Sequence, residues 1–401
     1  MRPDAVTQIE VVLGLGFGDE GKGTIVDWLA RRGAPPLVIR YNGGPQAAHH
    51  VVTDDGRVHC FAQLGAASFV PGARTHLADD MAVDLYALAG ERAELGVPAD
   101  VTIDPRCVLV TPWHAIVNRL REVALQHGST GRGVREAKLG PHKLYARELR
   151  EGFGGAVAVV RAALLGEARK LLDEARASGS AQLDELEQLV EIGHDFELVQ
   201  EFTAAAREPI TLAAEPPRAE HVILESAQGA LLDRDHGFFP HVTPSRITRR
   251  AAEAAARALG LAGDLAVWGV LRAYHTRHGA GPFPSEDAAL AAQLPEAHNR
   301  DDWHAGRFRV GWFDAVLARH ALAFAGPIDH LALTCVDRVA ALPQQGLVDA
   351  WDREDFSTAG AFAARAHVEP VASLAAAIPA LLGRRVDLES HGPRAADKRL
   401  S

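Results

Sequence analysis

Short apolar runs along the chain alternate with stretches in which apolar residues recur at helical spacing. Residues 9–13 and 36–41 form apolar runs that predict strands, and Ile25, Val26 and Leu29 recur between them at the spacing of a helix. Apolar strands that alternate with helices predict an α/β fold, in which helices flank a central, mostly parallel sheet. By the same criteria, we predict further strands at 101–111, 221–224, 265–271 and 330–334, short strands joined by turns within 59–80, and helices at 81–96, 113–127, 245–260 and 311–324.

One stretch departs from this alternation. Residues 155–205 are rich in Ala, Leu and Glu and contain few residues that break helices, so they predict a helical insertion. With 401 residues, the chain is long enough for one large domain or two smaller ones. Because the sequence contains no internal repeat or long linker, we predict a single domain over residues 1–401 that carries the insertion at about 155–205.

The loop between the first predicted strand and the first predicted helix reads GLGFGDEGKGT over residues 14–24. Backbone amides in such a turn, together with the dipole of the following helix, attract a phosphate group. The spacing from Gly16 to Lys22 fits the phosphate-binding pattern GxxxxGK, although Gly23 stands where that pattern has Ser or Thr. A carboxylate repels phosphate, so Asp19 is better explained as a ligand of Mg²⁺ or as a proton acceptor. The alternative is a tight turn with acidic residues at the surface.

Further candidate segments combine glycine or proline with polar side chains. Several of them directly follow predicted strands, where the ligand sites of open α/β sheets lie. Each has a simpler alternative, which is a plain turn or a buried structural polar group. The segments are GGPQAAHH at 43–50, GSTGRG at 128–133, ESAQGALLD at 225–233, AYHTRHGAGPFP at 273–284, LTCVD at 333–337 and SHGP at 390–393.

The composition argues against several classes of partner. Apolar residues make up 47 % of the chain and charged residues 23 %, which is ordinary for a globular protein. The net charge is −10, so no overall positive field favours nucleic acid or a membrane surface. Cys60, Cys107 and Cys335 lie far apart, which argues against a zinc site or a disulfide framework. No apolar run reaches membrane-spanning length and the start of the chain has no signal-peptide pattern, so we expect a cytoplasmic protein.

The run GDEGKGTIVD at 18–27 resembles the signature of the adenylosuccinate synthetases, and the resemblance recurs in patches along most of the chain. Members of that family are GTP-dependent ligases of purine synthesis. The resemblance implies a P-loop-NTPase-like fold, a homodimer, Mg²⁺ as the cofactor and GTP as a co-substrate. The implied reaction joins IMP to L-aspartate and gives adenylosuccinate, GDP and phosphate, through a nucleotide that is phosphorylated on its 6-oxygen.

The resemblance assigns the chemistry to four side chains and one backbone carbonyl. It implies that Asp19 takes the proton from N1 of the purine and that His49 acts as an acid against the γ-phosphate of GTP. It places Lys22 at the phosphates and Gln228 at the 6-position of the purine. The carboxylate of Asp19 and the carbonyl of Ala48 are the implied ligands of Mg²⁺.

The other matched positions divide between the two nucleotides. For the substrate nucleotide, the resemblance implies contacts from Gln46, Ala47, Thr130, Gln228, Leu232, Thr243 and His278. For GTP, it implies contacts from Gly18, Glu20, Gly21, Lys22, Gly23, His49, Asp337, Ser390 and Gly392.

Some of the matched segments are altered. His278 stands where the family has a Val close to the nucleotide, and Cys335 stands where the family has a Lys that packs on guanine. Asp337, which in the family reads guanine N1 and N2, is kept. The family also has an arginine that reaches into the partner subunit, and Arg147 is the candidate for it in this sequence.

The largest alteration falls in the loop that binds aspartate in the family. Residues 303–314 align with that loop without a gap, because the Gly-Trp pair and the final Asp match its end. In this alignment, the two arginines that clamp the aspartate carboxylates fall on Gly306 and Phe308. Arg307 and Arg309 keep the spacing of the clamp, so a shift by one residue would restore it. Without that shift, we expect L-aspartate to be a poor substrate and another amine, or a reshaped loop, to be used.

Three functions remain open from the sequence. The first is ligation as in adenylosuccinate synthetase, with a nucleotide and an amino-acid-like amine as small-molecule partners. The second is a paralogue that applies the same phosphoryl activation to another nucleotide or uses another amine. The third is a nucleotide-binding protein without catalysis, against which the presence of Asp19, Lys22, His49 and Gln228 argues.

Overall fold

The computed structural model describes residues 8–96, 100–125, 128–207, 210–296 and 306–401. The strands in these ranges are β1 Gln8–Gly14, β2 Leu37–Arg40, β3 His49–Val52, β4 Val58–Phe61, β5 Arg74–Leu77, β6 Ala82–Val83, β7 Asp100–Ile103, β8 Val108–Leu109, β9 Leu144–Tyr145, β10 Thr211–Leu212, β11 His221–Glu225, β12 Leu265–Arg272, β13 His275–His278, β14 Phe308–Gly311, β15 Phe313–Asp314, β16 His330–Thr334, β17 Gln345–Trp351, β18 Ala366–Val371, β19 Leu388–Ser390 and β20 Lys398–Leu400. The α-helices are α1 Lys22–Ala30, α2 Leu85–Leu95, α3 Pro112–Leu125, α4 Val134–Leu139, α5 Phe153–Ser178, α6 Leu183–His194, α7 Phe196–Ala205, α8 Arg249–Ala258, α9 Ala288–Gln293, α10 Ala315–Ala325, α11 Val336–Ala340, α12 Thr358–Ala363 and α13 Leu374–Leu382.

A ten-stranded sheet forms the centre of the fold, in the order β10-β7-β5-β2-β11-β1-β12-β16-β19-β20. Neighbouring strands are parallel except for the edge pair of β19 and β20. The predicted α/β fold with a mostly parallel sheet is therefore confirmed. Because β1 lies between β11 and β12, the loop that follows it stands near the middle of the carboxyl edge.

The apolar sequence of β1 follows from its position. Val11 and Leu13 belong to one hydrophobic core, whereas Val12, on the opposite face of the strand, belongs to the other. A strand that is buried on both faces reads as a mostly apolar run, and the buried Glu10 within it pairs with Nε2 of His221 at 2.7 Å.

The helical insertion is confirmed, because α5, α6 and α7 occupy most of residues 153–205. It packs on α3 through Trp113, whose indole N–H donates to the carbonyl of Gly193 at 2.9 Å. The ring of Phe202 meets Trp113 edge-on at 5.8 Å. No helix in the described ranges is long and apolar enough to cross a membrane.

Several predicted elements have different bounds in the structure, and for three of them the reason is evident. The strand predicted at 101–111 is interrupted, because the Asp104 carboxylate accepts the amide of Arg106 and turns the chain between β7 and β8. The helix predicted at 81–96 begins only at Leu85, after the cap Asp84. The helix predicted at 311–324 begins at Ala315, because the residues before it form β14 and β15 and Asp314 caps the helix.

We expect the substitution Trp113→Ala to lower the free energy of unfolding by about 3–5 kcal/mol, since it removes a buried ring and leaves a cavity. Chemical denaturation followed by circular dichroism measures this change. The matched control is Phe196→Ala, because Phe196 is an aromatic residue of the same insertion that is 69 % exposed, and its loss should change stability by less than about 0.5 kcal/mol. Equal losses in the two variants would contradict the packing role of Trp113.

Candidate active site

The glycine-rich loop after β1 meets two other predicted segments through its backbone. The amide of Leu231, in segment 225–233, donates to the carbonyl of Gly16 at 3.0 Å. Segment 43–50 packs on the start of α1 so closely that a Cβ added at Gly23 would lie 2.9 Å from the carbonyl carbon of His49. A glycine is therefore required at position 23, where the phosphate-binding pattern has Ser or Thr.

Three more of the predicted segments contact the same loop. His278 of segment 273–284 reaches Asp19, and the hydroxyl of Thr334, at the end of β16, donates to the carbonyl of Glu20 at 2.6 Å. The Thr24 hydroxyl donates to the carbonyl of Pro393 at 2.7 Å. The structure thus brings together segments that are up to 369 residues apart, at the edge where parallel sheets hold their ligands.

Glu20 lies inside the loop. Its carboxylate accepts the amides of Gly16 at 2.9 Å and Gly18 at 2.8 Å, and it pairs with the ammonium of Lys22 at 2.6 Å. Both ionic side chains are only 2 % exposed. A Cβ added at Gly14 or Gly229 would overlap this carboxylate, so these glycines make room for Glu20. The Gly18 amide and the Lys22 charge, both predicted to face GTP, are bonded to a carboxylate of the protein itself.

Asp19 stands beside this ion pair in a left-handed conformation with φ +59°, which is uncommon for a residue other than glycine. Its Oδ2 lies 3.0 Å from Nε2 of His278, and its carbonyl accepts Nη1 of Arg272 at 3.0 Å. Burial acts to raise the pKa of Asp19, but the hydrogen bond and charge of His278, with the charges of Arg272 and Lys22, hold that pKa below its usual value. Asp19 is therefore a carboxylate at neutral pH.

His49 and Glu225 form a second buried pair. Nδ1 of His49 contacts Oε1 of Glu225, and the other carboxylate oxygen accepts the amide of Ala66 at 3.0 Å. Burial would raise the pKa of Glu225, but the charges of Arg40 and His49 lower it below its usual value. Burial lowers the pKa of His49, with Glu225 opposing that change. An ionised Glu225 fixes the ring through Nδ1 and leaves Nε2 as the atom that a ligand would meet.

Three of the side chains predicted to bind the substrate nucleotide carry buried polar atoms that have no hydrogen-bond partner among the described residues. They are Oε1 of Gln46, Oε1 of Gln228 and Oγ1 of Thr243. Buried polar atoms nearly always have a partner, so atoms of this kind indicate where a polar ligand binds. Gln228 also has a positive φ of 59°, and such strained residues concentrate at functional sites.

The other residues predicted for the substrate nucleotide have different surroundings. Ala47 is buried, and Leu232 packs against the core while its carbonyl accepts the amide of Thr243 at 2.8 Å. Thr130 is exposed on the loop between α3 and α4. In that loop, the Ser129 hydroxyl donates to the Asn118 side chain at 2.8 Å.

The residues predicted to read the GTP base lie at the ends of β16 and β19. Asp337 is exposed in the first turn of α11, and the buried Ser390 donates its hydroxyl to the carbonyl of Gly392 at 2.9 Å. Lys398 donates to that same carbonyl at 3.0 Å and also contacts the Thr24 hydroxyl. Burial lowers the pKa of Lys398 to about 8. Gly21, also predicted for GTP, is the N-terminal cap of α1.

The two arginines predicted to bind the amine substrate share one partner. Arg307, which is 73 % exposed, lies 3.3 Å from Oε1 of Glu286. Arg309, which is 11 % exposed, donates to Oε2 of Glu286 at 3.1 Å and to the carbonyl of Gly281 at 2.9 Å. The first residues of the aligned loop, 303–305, lie outside the described residues.

The groups suited to Mg²⁺ are few. Within the part of the chain that the structure describes, no three His, Cys, Asp or Glu side chains form a metal-binding group. The ionised Asp19 and the backbone carbonyl of the exposed Ala48 are oxygen donors of the kind that Mg²⁺ prefers. Because Mg²⁺ usually takes one or two protein carboxylates and completes its shell with phosphate and water, this donor set fits the ion.

Several contacts in the site involve residues that the sequence did not single out. Glu225 and Arg272 hold His49 and Asp19, Glu286 holds the two amine-loop arginines, and Lys398 binds the base-reading loop. Glu225 was detectable, since it opens the matched segment 225–233. The other three contact their partners only in the folded structure, and no local sequence pattern predicts those contacts.

Comparison with known proteins finds a family model that matches this chain and solved structures that have a similar fold. The family model described as adenylosuccinate synthetase matches residues 11–377. A fully ligated adenylosuccinate synthetase from Plasmodium falciparum is 19 % identical with a TM-score of 0.76, over 99 % of this chain and 100 % of that one. The succinoaminodeoxyadenylate synthetase PurZ of cyanophage S-2L, bound to dGMP and to dATP as an energy donor, is 19 % identical with a TM-score of 0.62, over 98 % of this chain and 95 % of that one.

We expect Glu225→Gln to destabilise the fold at neutral pH by about 1–3 kcal/mol, because it removes a charge-assisted hydrogen bond to a buried imidazole. The folded pKa of Glu225 lies below its ordinary value of 4.5, so its stabilisation is present above that pH and is lost as the pH falls through the folded pKa. The difference between variant and wild type should therefore shrink below about pH 4.5. Thermal unfolding at a series of pH values measures it.

The matched control for this prediction is Glu187→Gln, which removes an exposed partner of Arg176. Exposed pairs contribute about 0–1 kcal/mol, so the control should be nearly neutral throughout. A Glu225 effect that persists unchanged into acid would show that the carboxylate charge has no part in it.

Proposed function

This chain belongs to the adenylosuccinate synthetase family, a family of ligases that form carbon–nitrogen bonds, and on that premise we propose that it is a GTP-dependent ligase acting on IMP. The observation that carries the proposal is the set of unpartnered buried polar atoms of Gln46, Gln228 and Thr243, which lie on stretches that contact segment 225–233 or the loop of the ionised Asp19. A purine nucleotide offers matching groups, because its ring N–H and ribose hydroxyls can donate to the two amide oxygens and its phosphate can accept from the Thr243 hydroxyl. Family membership also supports a single domain, a homodimer and a requirement for Mg²⁺.

In the proposed first step, Asp19 takes the proton from N1 of IMP and the 6-oxygen attacks the γ-phosphorus of GTP. The bond from that phosphorus to the β,γ-bridging oxygen breaks and GDP leaves. Arg272, through the carbonyl of Asp19, and His278, through its carboxylate, hold the base in place. The product of this step is IMP phosphorylated on its 6-oxygen, which has a good leaving group where the carbonyl had a poor one.

His49 faces the charge that develops on the phosphate. Glu225 holds the ring, and a phosphate against Nε2 offsets the effect of burial and favours the imidazolium, which donates at both nitrogens. Lys22 supplies a second positive charge once phosphate competes with Glu20 for it. When bound, Mg²⁺ supplies further positive charge at the phosphates, and Asp19 and the Ala48 carbonyl would hold it.

In the proposed second step, an amine attacks C6 of the activated nucleotide. The bond from C6 to the phosphorylated oxygen breaks, inorganic phosphate leaves, and the attacking nitrogen loses a proton. In the family this amine is L-aspartate. A second candidate function, the same activation with a different amine, is favoured by the contact of Arg307 and Arg309 with Glu286, which occupies the guanidinium groups that a dicarboxylate would require.

Asp19→Asn should lower the rate of IMP-dependent phosphate release from GTP by at least about 100-fold, since a catalytic base contributes about 10²–10⁴-fold. The assay compares release with and without IMP, in the presence of Mg²⁺ and an amine panel. The matched control is Asp54→Asn on the exposed β3–β4 turn, which should retain full activity. Retention of more than a tenth of the activity by the Asp19 variant would remove it from the role of base.

The same assay separates catalysis from mere binding. A nucleotide-binding protein without catalysis would bind GTP and IMP, as measured by calorimetry, yet release no phosphate with any amine of the panel. That result would overturn the proposed ligase.

GTP should be used with higher kcat/KM than ATP, because a carboxylate at Asp337 can accept hydrogen bonds from guanine N1 and N2 that adenine cannot donate. Each such charged bond contributes about 1.5–3 kcal/mol, so Asp337→Asn should reduce the preference by roughly one to two orders of magnitude. The matched control, Asp264→Asn, changes an exposed acid that precedes β12 at the opposite edge of the sheet. Equal efficiency of GTP and ATP in the wild type would refute the guanine-reading role of Asp337.

A further inference from the structure

We propose that the amine substrate carries an apolar or aromatic side chain, with at most one carboxylate, and that this side chain packs against Phe308 and His278. The inference rests on the proposed function, because it assigns the second substrate of that same site. It depends on a two-stranded ribbon beside Asp19 and on which side chains each of its faces presents.

The ribbon consists of β13 and β14, which pair antiparallel with His278 opposite Phe308 and Arg277 opposite Arg309. Residues directly opposite in an antiparallel pair lie on the same face, and successive residues alternate between faces. His278 and Phe308 therefore share one face of the ribbon, and Arg277 and Arg309 share the other. Two of the positions at which the sequence departs from the family pattern, 278 and 308, are thus direct neighbours in space.

The face with Phe308 and His278 is the one that meets the reacting groups. Nε2 of His278 lies 3.0 Å from the carboxylate of Asp19, and the ring of Phe308 covers the imidazole at a centroid distance of 4.9 Å. Thr276 and Val310 complete the same face. Among the described residues, this face of the ribbon carries no arginine or lysine and includes the phenyl ring of Phe308.

The arginines on the opposite face already have acceptors. Arg277 is 1 % exposed, donates to the carbonyl of Pro282 at 2.9 Å and stacks over Phe17. Arg309 donates to Glu286 and to the carbonyl of Gly281. To turn Arg307 and Arg309 toward Asp19, the ribbon would have to slip by one residue, which would move every side chain of β14 to the other face.

These observations favour amines with an apolar side chain over amines with two carboxylates. A dicarboxylate in a closed site requires a cationic partner for each charge, and an unpaired buried charge is costly. An apolar side chain needs no such partner and gains from contact with the phenyl ring. A single carboxylate, such as the α-carboxylate of an amino acid, can stay in solvent at the rim of the site, where it needs no buried cationic partner.

The chemical step is unchanged by the choice of amine. The free-base nitrogen attacks C6, the bond from C6 to the phosphorylated oxygen breaks, and inorganic phosphate leaves with the bonding electrons. The nitrogen loses one proton as aromaticity returns. No oxidant or reductant takes part.

The test measures condensation of IMP with L-aspartate, L-asparagine, L-leucine, L-phenylalanine and benzylamine, with GTP and ATP each supplied as donor and the products identified by mass spectrometry. We expect kcat/KM for leucine or phenylalanine to exceed that for aspartate by at least about 10-fold, the smaller end of what pocket contacts discriminate. Phe308→Arg places a guanidinium on the reacting face and should shift the ratio toward aspartate by about 10–200-fold. The matched control is Phe196→Arg, the same change on an exposed residue of the helical insertion, which should leave the ratio as it is.

A second measurement separates this inference from the function on which it rests. With GTP oxygen-labelled at the bridge, scrambling of the label into non-bridging positions reports reversible transfer to IMP in the absence of any amine, and it also shows that Phe308→Arg is folded and active. If the label scrambles but the wild type prefers aspartate or condenses no apolar amine, this inference is overturned. The proposed activation step is then still supported, because scrambling reports it. Absence of scrambling and of product with both donors overturns the proposed function and this inference with it.

Discussion

The candidate site depends on one buried ion pair, Glu20 with Lys22. The Glu20 carboxylate takes up two amides of the glycine-rich loop and fills the space that Gly14 and Gly229 leave. It thereby fixes a loop whose free amides would otherwise repel one another, and it joins the ends of β1 and β11. Thr334 binds the carbonyl of the same residue, so the end of β16 is joined as well. A phosphate that enters must share Lys22 with a carboxylate that is already there.

Backbone strain accompanies this construction. Within the described ranges, the residues other than glycine that have a positive φ are Asp19, Gln228 and Cys335. Each follows a strand of the central sheet, and each belongs to a segment predicted to bind a nucleotide. Strained conformations persist only where the surroundings determine them, and here the sheet and the Glu20 pair do so. Asp19 and Gln228 are consequently held in place before any ligand binds, which is the geometry that preorganised catalysis requires.

The local sequence was sufficient to predict the central strands of the sheet, but it was insufficient to predict the elements around them. Strands β1, β11, β12 and β16 are buried on both faces, so their continuous apolar runs identified them. Strands β13 and β14 were missed because Arg277 and Arg309 break the apolar pattern, and those arginines donate to the carbonyls of Pro282 and Gly281 in the turn that follows β13. In the site, glycine-rich motifs located the loops, whereas the partners of the predicted residues were found only in the structure. Glu225 lies 176 residues from His49, and no spacing rule connects the two.

The alternation of the β13–β14 ribbon has a consequence for comparing relatives. Because neighbouring residues of β14 lie on opposite faces, a slip of β14 by one residue against β13 would exchange its apolar and cationic faces without any amino-acid replacement in the strand. Pairing register, and not composition alone, therefore decides which side chains this strand presents toward Asp19. Two relatives with similar residues in this strand can differ in the side chains that face the reacting groups.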